Sequence, residues 1–260
     1  MPMHTDQIGH SIHLAQLPQR IVSLVPSQTE YLFDLGLDDR IVGITKFCVH
    51  PEEARRRKTI VGGTKNLHHD RIAALQPDLI IANKEENTAA DILALQRDYA
   101  VWTSDIITLA DSYAMMRSLA TLTGTEALGQ WWLERIQSGF GQLQQHHQRR
   151  ALYFIWAKPW MVAGRSTFIH QLMHCAGFAN ASDQLADPRY PEVRAEDIAA
   201  SDAEYLLLSS EPYPFGADHR AEMQALFPTK KVILVDGEMF SWYGSRMALA
   251  AKNFEQFQNL

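Results

Sequence analysis

Apolar positions along the chain fall into two alternating patterns, short continuous runs and runs spaced by three and four. The run Arg20-Ile21-Val22-Ser23-Leu24-Val25, closed by Pro26-Ser27, predicts a buried strand, and the spacing of residues 29–35 predicts the helix that follows it. Ser27 or Thr29 is expected to cap that helix, and Gly36 to end it. A second strand is expected over 40–44, as in a layer where parallel strands alternate with crossover helices. The unit then repeats: helix 70–75 stopped by Pro77, strand 79–82, helix 89–97, strand 101–102, helix 112–123.

From Glu126 to about His147 the pattern changes. Leu128, Trp131, Trp132, Ile136, Phe140 and Leu143 recur at three-to-four spacing with glutamines on the other face, which predicts one amphipathic helix about 33 Å long. The α/β cadence then resumes with strand 151–155, helices 168–175 and 196–199, strand 205–208, helix 219–226, strand 231–235 and helix 246–257. Residues 70–81 and 196–207 share one outline, an acidic-capped short helix running into an apolar strand. The fold expected is therefore α/β: two lobes with mainly parallel sheets, residues 1–125 and 149–260, joined by one long backbone helix over 126–148. Local pseudo-symmetry places strand ends of both lobes on one ligand cleft between them, since ligands of open α/β sheets sit at the carboxyl ends of strands.

Composition narrows the function classes. The 260 residues carry 24 Lys and Arg against 30 Asp and Glu, a net charge of −6, which leaves no basic face for nucleic acid or an anionic membrane. No run of eighteen apolar residues occurs, so neither membrane insertion nor a signal peptide is expected. The two cysteines, Cys48 and Cys175, lie far apart in sequence and form no metal-binding spacing, which suits a reducing compartment or indifference to disulfides.

The segments after the strands are rich in charged and aromatic residues, and loops at strand ends commonly carry function. The first lobe offers Lys46, His50, Lys65, Lys84, Glu85 and Glu86. The second offers Trp156, Trp160, Tyr190, Glu211, Tyr213, Glu238, Trp242, Tyr243 and Arg246. Together they suit a ligand with carboxylate or amide arms and a flat apolar surface. Each has a plainer reading: the tryptophans as lids packed on loops, Lys84-Glu85-Glu86 as a solvated charge run, Arg246 as the start of the last helix. Gly62-Gly63-Thr64-Lys65 lacks the spacing of a phosphate loop. His50, His68, His69, Glu211, Glu238 and Cys48 are candidate donors for a bare metal ion but form no chelating spacing, so no metal site and no cofactor is expected. Catalysis is the more distant alternative. Ser27 has no nucleophile elbow around it, and Glu211 with Glu238 is the one pair that suggests an acid and a base.

Several of these segments together resemble one family, the substrate-binding proteins with a helical backbone that serve ferric-siderophore, haem and cobalamin importers. The segments are RIVSLVPSQTE at 20–30, Val42-Gly43, RIAALQPDLIIA at 71–82, the long helix, Cys175-Ala176-Gly177 and residues 232–246, with 6–14 similar to the opening hairpin of such domains. The resemblance implies a two-lobed monomeric receptor, not an enzyme, that holds one small molecule, a metal chelate, and delivers it to an ABC transporter permease. It further implies that Asp70 and Glu196, at the positions where the cobalamin-binding member places one carboxylate per lobe, dock on that transporter; a first-turn acid favoured by the helix dipole is the plain alternative. Thr64, Asn83 and Tyr190 stand where that member's pattern has pocket tryptophans, so cobalamin itself does not carry over as the ligand. The compartment stays open: periplasmic if the chain is a trimmed mature form, cytoplasmic if Met1 is the native start.

Overall fold

The computed structural model describes residues 3–143, 149–257 and 260. The chain divides into two compact units. The first is Met1–Ile106, Ala110–Arg135 and Tyr243–Arg246; the second is Ile107–Leu109, Ile136–Trp242 and Met247–Leu260. Among the described residues no helix is long and apolar enough to cross a membrane.

The first unit opens with a hairpin of β1 (Met3–Thr5) and β2 (Ser11–His13). Asp6 builds its turn, Oδ1 accepting the amides of Ile8 at 3.0 Å and His10 at 2.7 Å, while Oδ2 accepts the amide of Thr103 and ties the hairpin to the sheet. That sheet comprises β3 (Ile21–Ser23), β4 (Ile41–Ile44), β5 (Thr59–Ile60), β6 (Leu79–Asn83) and β7 (Val101–Ser104), all parallel, in the order β5-β4-β3-β6-β7. The strands are continuous apolar runs because both faces are covered, as parallel sheets require. The connections carry α1 (Pro26–Asp34), α2 (Ala54–Arg57), α3 (His69–Leu75) and α4 (Ala89–Leu95), and α5 (Leu109–Thr123) and α6 (Glu126–Gly141) follow β7.

Two local expectations are corrected here. Neither Ser27 nor Thr29 caps α1: Val25 is the cap residue and Pro26 occupies the first turn, where its missing N–H costs nothing. The Thr29 hydroxyl instead donates to Ser23 Oγ at 2.7 Å and to the Val25 carbonyl at 2.8 Å. Helix α6 also stops at Gly141, so it runs 16 residues, about 24 Å. Gly139 and Gly141, poor helix formers, stand just where it ends, and Leu143 turns back to bond the Phe140 carbonyl. Residues 144–148, also expected in this helix, lie outside the described residues. The boundary between the units falls inside α6, after Arg135.

The second unit has β8 (Arg149–Ala157), β9 (Trp160–Val162), α7 (Phe168–Cys175), β10 (Phe178–Asn180), α8 (Ala195–Ala200), β11 (Tyr205–Ser209), α9 (Ala217–Leu226), β12 (Lys231–Val235), α10 (Gly237–Ser241) and α11 (Met247–Phe254). Strands β10-β8-β11-β12 are parallel in that order, and β9 folds back antiparallel on β8. Leu152, Phe154, Leu206, Leu208 and Val232 from the sheet meet Ile198, Met223 and Phe227 from the helical layer in the core. The last helix begins at Met247 and leaves Arg246 in the segment that belongs to the first unit.

Candidate functional site

In an open parallel sheet the ligand crevice lies beyond the carboxyl ends of the strands where strand order reverses. In the first unit the reversal falls between β3 and β6. Asn83 ends β6, buried, and its Oδ1 accepts the amides of Glu85 at 2.8 Å and Glu86 at 2.9 Å. Asn87 Oδ1 accepts the Asn83 amide at 2.9 Å, and its Nδ2 donates to the Thr64 carbonyl at 3.0 Å. These two buried asparagines fix the loop that presents Lys84, Glu85 and Glu86. Lys65 Nζ donates to the Glu85 carbonyl, and the exposed Lys84 pairs with Asp105 at 2.6 Å. Lys46 is exposed beside the Phe47 ring, at 5.0 Å from its centroid, and His50 is half-buried and acts on Glu30.

Tyr243 completes this set. Its phenol hydrogen-bonds to Ser27 and Ser104 and faces Glu86 and Glu85; burial first, then the Glu86 charge, pushes it well above its ordinary 10.0. Ser104 Oγ also receives Asn83 Nδ2 at 3.0 Å and the Gln28 amide. Arg246 is held by Glu30, Nε to Oε2 at 2.7 Å and Nη2 to Oε1 at 2.5 Å.

In the second unit the reversal falls between β8 and β11. Trp156, near the end of β8 and 41% exposed, meets the Tyr213 ring edge-on at 5.5 Å. Glu211, two residues past β11, accepts Ser241 Oγ at 2.6 Å and Trp242 Nε1 at 2.8 Å on the same Oε1. Gly237 allows this approach, since a Cβ there would fall 2.5 Å from Glu211 Cγ and from Ser209 Oγ. Asp236 Oδ1 accepts the Glu238 amide and starts α10, so Glu238 sits half-buried in its first turn. Burial chiefly holds the Glu211 carboxyl above its ordinary 4.5; Ser241 opposes this, and the Glu238 charge adds to it.

The structure thus brings together Lys65, Lys84, Glu85, Glu86 and Tyr243 in the first unit, and Trp156, Glu211, Tyr213, Glu238 and Trp242 in the second. Trp160, opposite Ala157 in the β8–β9 pair, packs on Phe227 of the core at 6.0 Å, and Tyr190 lies half-buried with Arg189 5.7 Å over its ring. Among the described residues no three His, Cys, Asp or Glu side chains converge as metal ligands. Cys48 is buried against Thr29 and Thr45, its thiol pushed up by burial, and His69 pairs with Asp91 at 2.7 Å. Sequence reasoning missed Gln28 and Ser104. The signal was there for Gln28, a polar residue on the apolar stripe of α1 with Tyr31 and Leu32.

Two open parallel α/β units with charged and aromatic side chains at their topological switch points are the architecture of a solute-binding protein. Residues 21–227 match the periplasmic binding protein family, and the chain belongs to it. It is 25% identical over 249 residues to the vitamin B12-binding protein of Pectobacterium atrosepticum, covering 91% of this chain and 87% of that one. An uncharacterized ABC transporter substrate-binding lipoprotein, YvrC of Bacillus subtilis, is 22% identical over 215 residues, 76% of this chain and 68% of that one. The fold is similar to the crystal structure of the periplasmic vitamin B12-binding protein BtuF of Vibrio cholerae, with a TM-score of 0.80 and 22% identity over 94% of this chain and 97% of that one.

Proposed function

We propose that this protein binds a small organic metal chelate of the corrinoid, haem or ferric-siderophore class and hands it to an ABC transporter permease. The observation that carries the reading is the composition of the switch-point segments. The second unit offers the aromatic pair Trp156 and Tyr213 and the interacting carboxylates of Glu211 and Glu238, and the first offers Tyr243 facing Glu85 and Glu86 on the loop that Lys65 holds and that carries Lys84. Aromatic rings offer area to a flat macrocycle, while lysines and carboxylates orient its acid or amide arms. The likeness to a vitamin B12-binding protein supports the class.

The test is a thermal-shift and absorbance screen with cyanocobalamin, haemin and ferric siderophores, followed by calorimetry on the compound that binds. Trp156→Ala and Lys84→Ala, at exposed positions, are each expected to weaken its binding by roughly tenfold, the effect of losing a contact worth about 1.4 kcal/mol. Unchanged affinity in both variants sinks this assignment of the site.

Delivery is assigned to Asp70 and Glu196. Each is exposed in the first turn of a short helix, α3 in the first unit and α8 in the second, and each helix leads into a strand. With the ligand site intact, Asp70→Ala/Glu196→Ala is expected to keep chelate affinity and lose binding to the cognate permease in a pull-down. Normal permease binding by this double variant ends the docking role.

A further inference from the structure

Helix α7 carries His170 and His174 four residues apart, and residues at that spacing share one helix face. Phe168, Ile169, Leu172 and Met173 form the buried face, so the two imidazoles lie half-buried along its margin. Their ring centroids are 4.6 Å apart with the planes at 81°. The Nδ1 atom of His170 is buried and has no hydrogen-bond partner. A buried polar atom left unpaired is uncommon and calls for a partner.

The charges around the pair are those of the adjoining loop and strand. Asp183 acts on both rings, and its carboxylate is bound by Arg150 Nη1 at 3.2 Å and Nη2 at 3.0 Å. Arg165 Nη1 donates to the carbonyls of Asp183 and Leu185. A cation at the histidines is therefore attracted by Asp183 and opposed by Arg150. Burial lowers both imidazoles from their ordinary 6.5, and for His170 the neighbouring His174 adds to the shift, so at neutral pH each keeps a lone pair for a Lewis acid. Cys175 is no competitor, because burial pushes its thiol up to about 11.

We propose that His170 and His174 form a two-nitrogen chelate for a borderline divalent transition-metal ion such as Zn²⁺, with water in the remaining positions. Imidazole is a preferred ligand of such ions. Metal–nitrogen bonds of about 2.0–2.1 Å, at angles between square and tetrahedral, set the centroids of two coordinating imidazoles about 4.5–5.2 Å apart. The observed 4.6 Å lies inside that span, so the backbone already holds the two rings at a separation a shared metal ion requires. This site is separate from the chelate-binding segments, which follow the carboxyl ends of β8 and β11. Asp183 is anchored by Arg150, the second residue of β8, at the opposite end of that strand.

Titrating tag-free full-length protein with Zn²⁺ alone in a calorimeter tests the site. The wild type is expected to take up one equivalent, and His170→Gln and His174→Gln are each expected to weaken that binding by roughly tenfold or more. Affinity should fall with pH as protons compete for the nitrogens, and His69→Gln, at the separate pair with Asp91, should leave it unchanged. Copper(II) electron paramagnetic resonance of the wild type reads nitrogen coordination without any substitution, and two equatorial nitrogens are expected. No Zn²⁺ uptake, wild-type affinity in both glutamine variants, loss in the His69 variant, or a copper spectrum free of nitrogen hyperfine structure overturns the proposal.

Discussion

Replacing Arg246 by alanine is expected to lower the free energy of unfolding by about 3–5 kcal/mol at pH 7, the usual cost of leaving one member of a buried ion pair alone. The pair is buried on the arginine side and largely so on the other, with the Arg246 side chain 8% exposed and that of Glu30 14%, and it is bidentate. Even so, Glu30 titrates above its ordinary 4.5, because burial outweighs the hydrogen bond and charge of Arg246. Without the guanidinium its hydrogen bond and its charge both vanish, only the smaller influence of His50 still opposes burial, and the carboxyl moves further up. The sign of the pH dependence follows. Below 4.5 Glu30 is protonated in both folded and unfolded chains, so the variant loses least there. Its deficit grows as pH rises through the folded-state value, where a charged carboxylate must be buried unpaired or a proton held against the solvent. Guanidinium unfolding at pH 7 and near pH 4.5 measures this. Glu30→Met/Arg246→Met should recover most of the loss, since apolar replacements of buried pairs are often neutral. A deficit below about 1 kcal/mol in Arg246→Ala, or one that does not change with pH, would falsify the account. The pair also fixes the segment Tyr243–Arg246 to the first unit, so the same variant loosens the tyrosine that faces Glu86.

The Arg246 pair marks where sequence reading stops. A residue after Gly244-Ser245 was legible as a cation near a strand-end segment, but its partner lies 216 positions earlier in α1, and no local pattern encodes that distance. Glu211 and Trp242 pose the same problem across 31 positions. The α/β alternation itself was legible because β3, β6, β8, β11 and β12 are apolar runs, and the helices between them carry three-to-four spacing. Strands β5, β9 and β10, at two or three residues, are too short to show a period, and tertiary pairing alone makes them strands. Helix α6 shows the opposite error. The apolar spacing continues to Leu143, which is indeed buried, but the glycines at 139 and 141 end the helix first. The loops of the candidate site were readable as charged and aromatic for one reason. They follow strands, and side chains that are costly to bury have no place in the sheet layers themselves. Which of them pack inward was not readable: Trp242 is buried on Glu211, whereas Trp156 is exposed.

Phe240 decides whether the second unit's carboxylates are held in place. Helix α10 has five residues, far short of what is stable alone, so its geometry depends on tertiary packing. The packing is supplied by Phe240, fully buried, with ring centroids 5.2 Å from Tyr153, 4.7 Å from Phe254 and 6.0 Å from Phe257. Phe240→Ala is expected to cost about 3–5 kcal/mol, the lost burial plus the cavity left behind. The loss has a local consequence as well. Glu238 lies two residues before Phe240, Ser241 and Trp242 directly after it, and the last two hold Glu211 through its Oε1. Freed from its anchor, α10 should exchange its amide hydrogens faster than the rest of the unit, and chelate binding should weaken more than global stability alone explains. Phe240→Leu keeps most of the volume and should lose under about 1.5 kcal/mol, with α10 still protected. Denaturant unfolding combined with hydrogen exchange separates the outcomes. If the alanine variant stays within 1 kcal/mol of the wild type, or unfolds more easily while α10 keeps its protection, then something other than Phe240 positions Glu238 and Glu211.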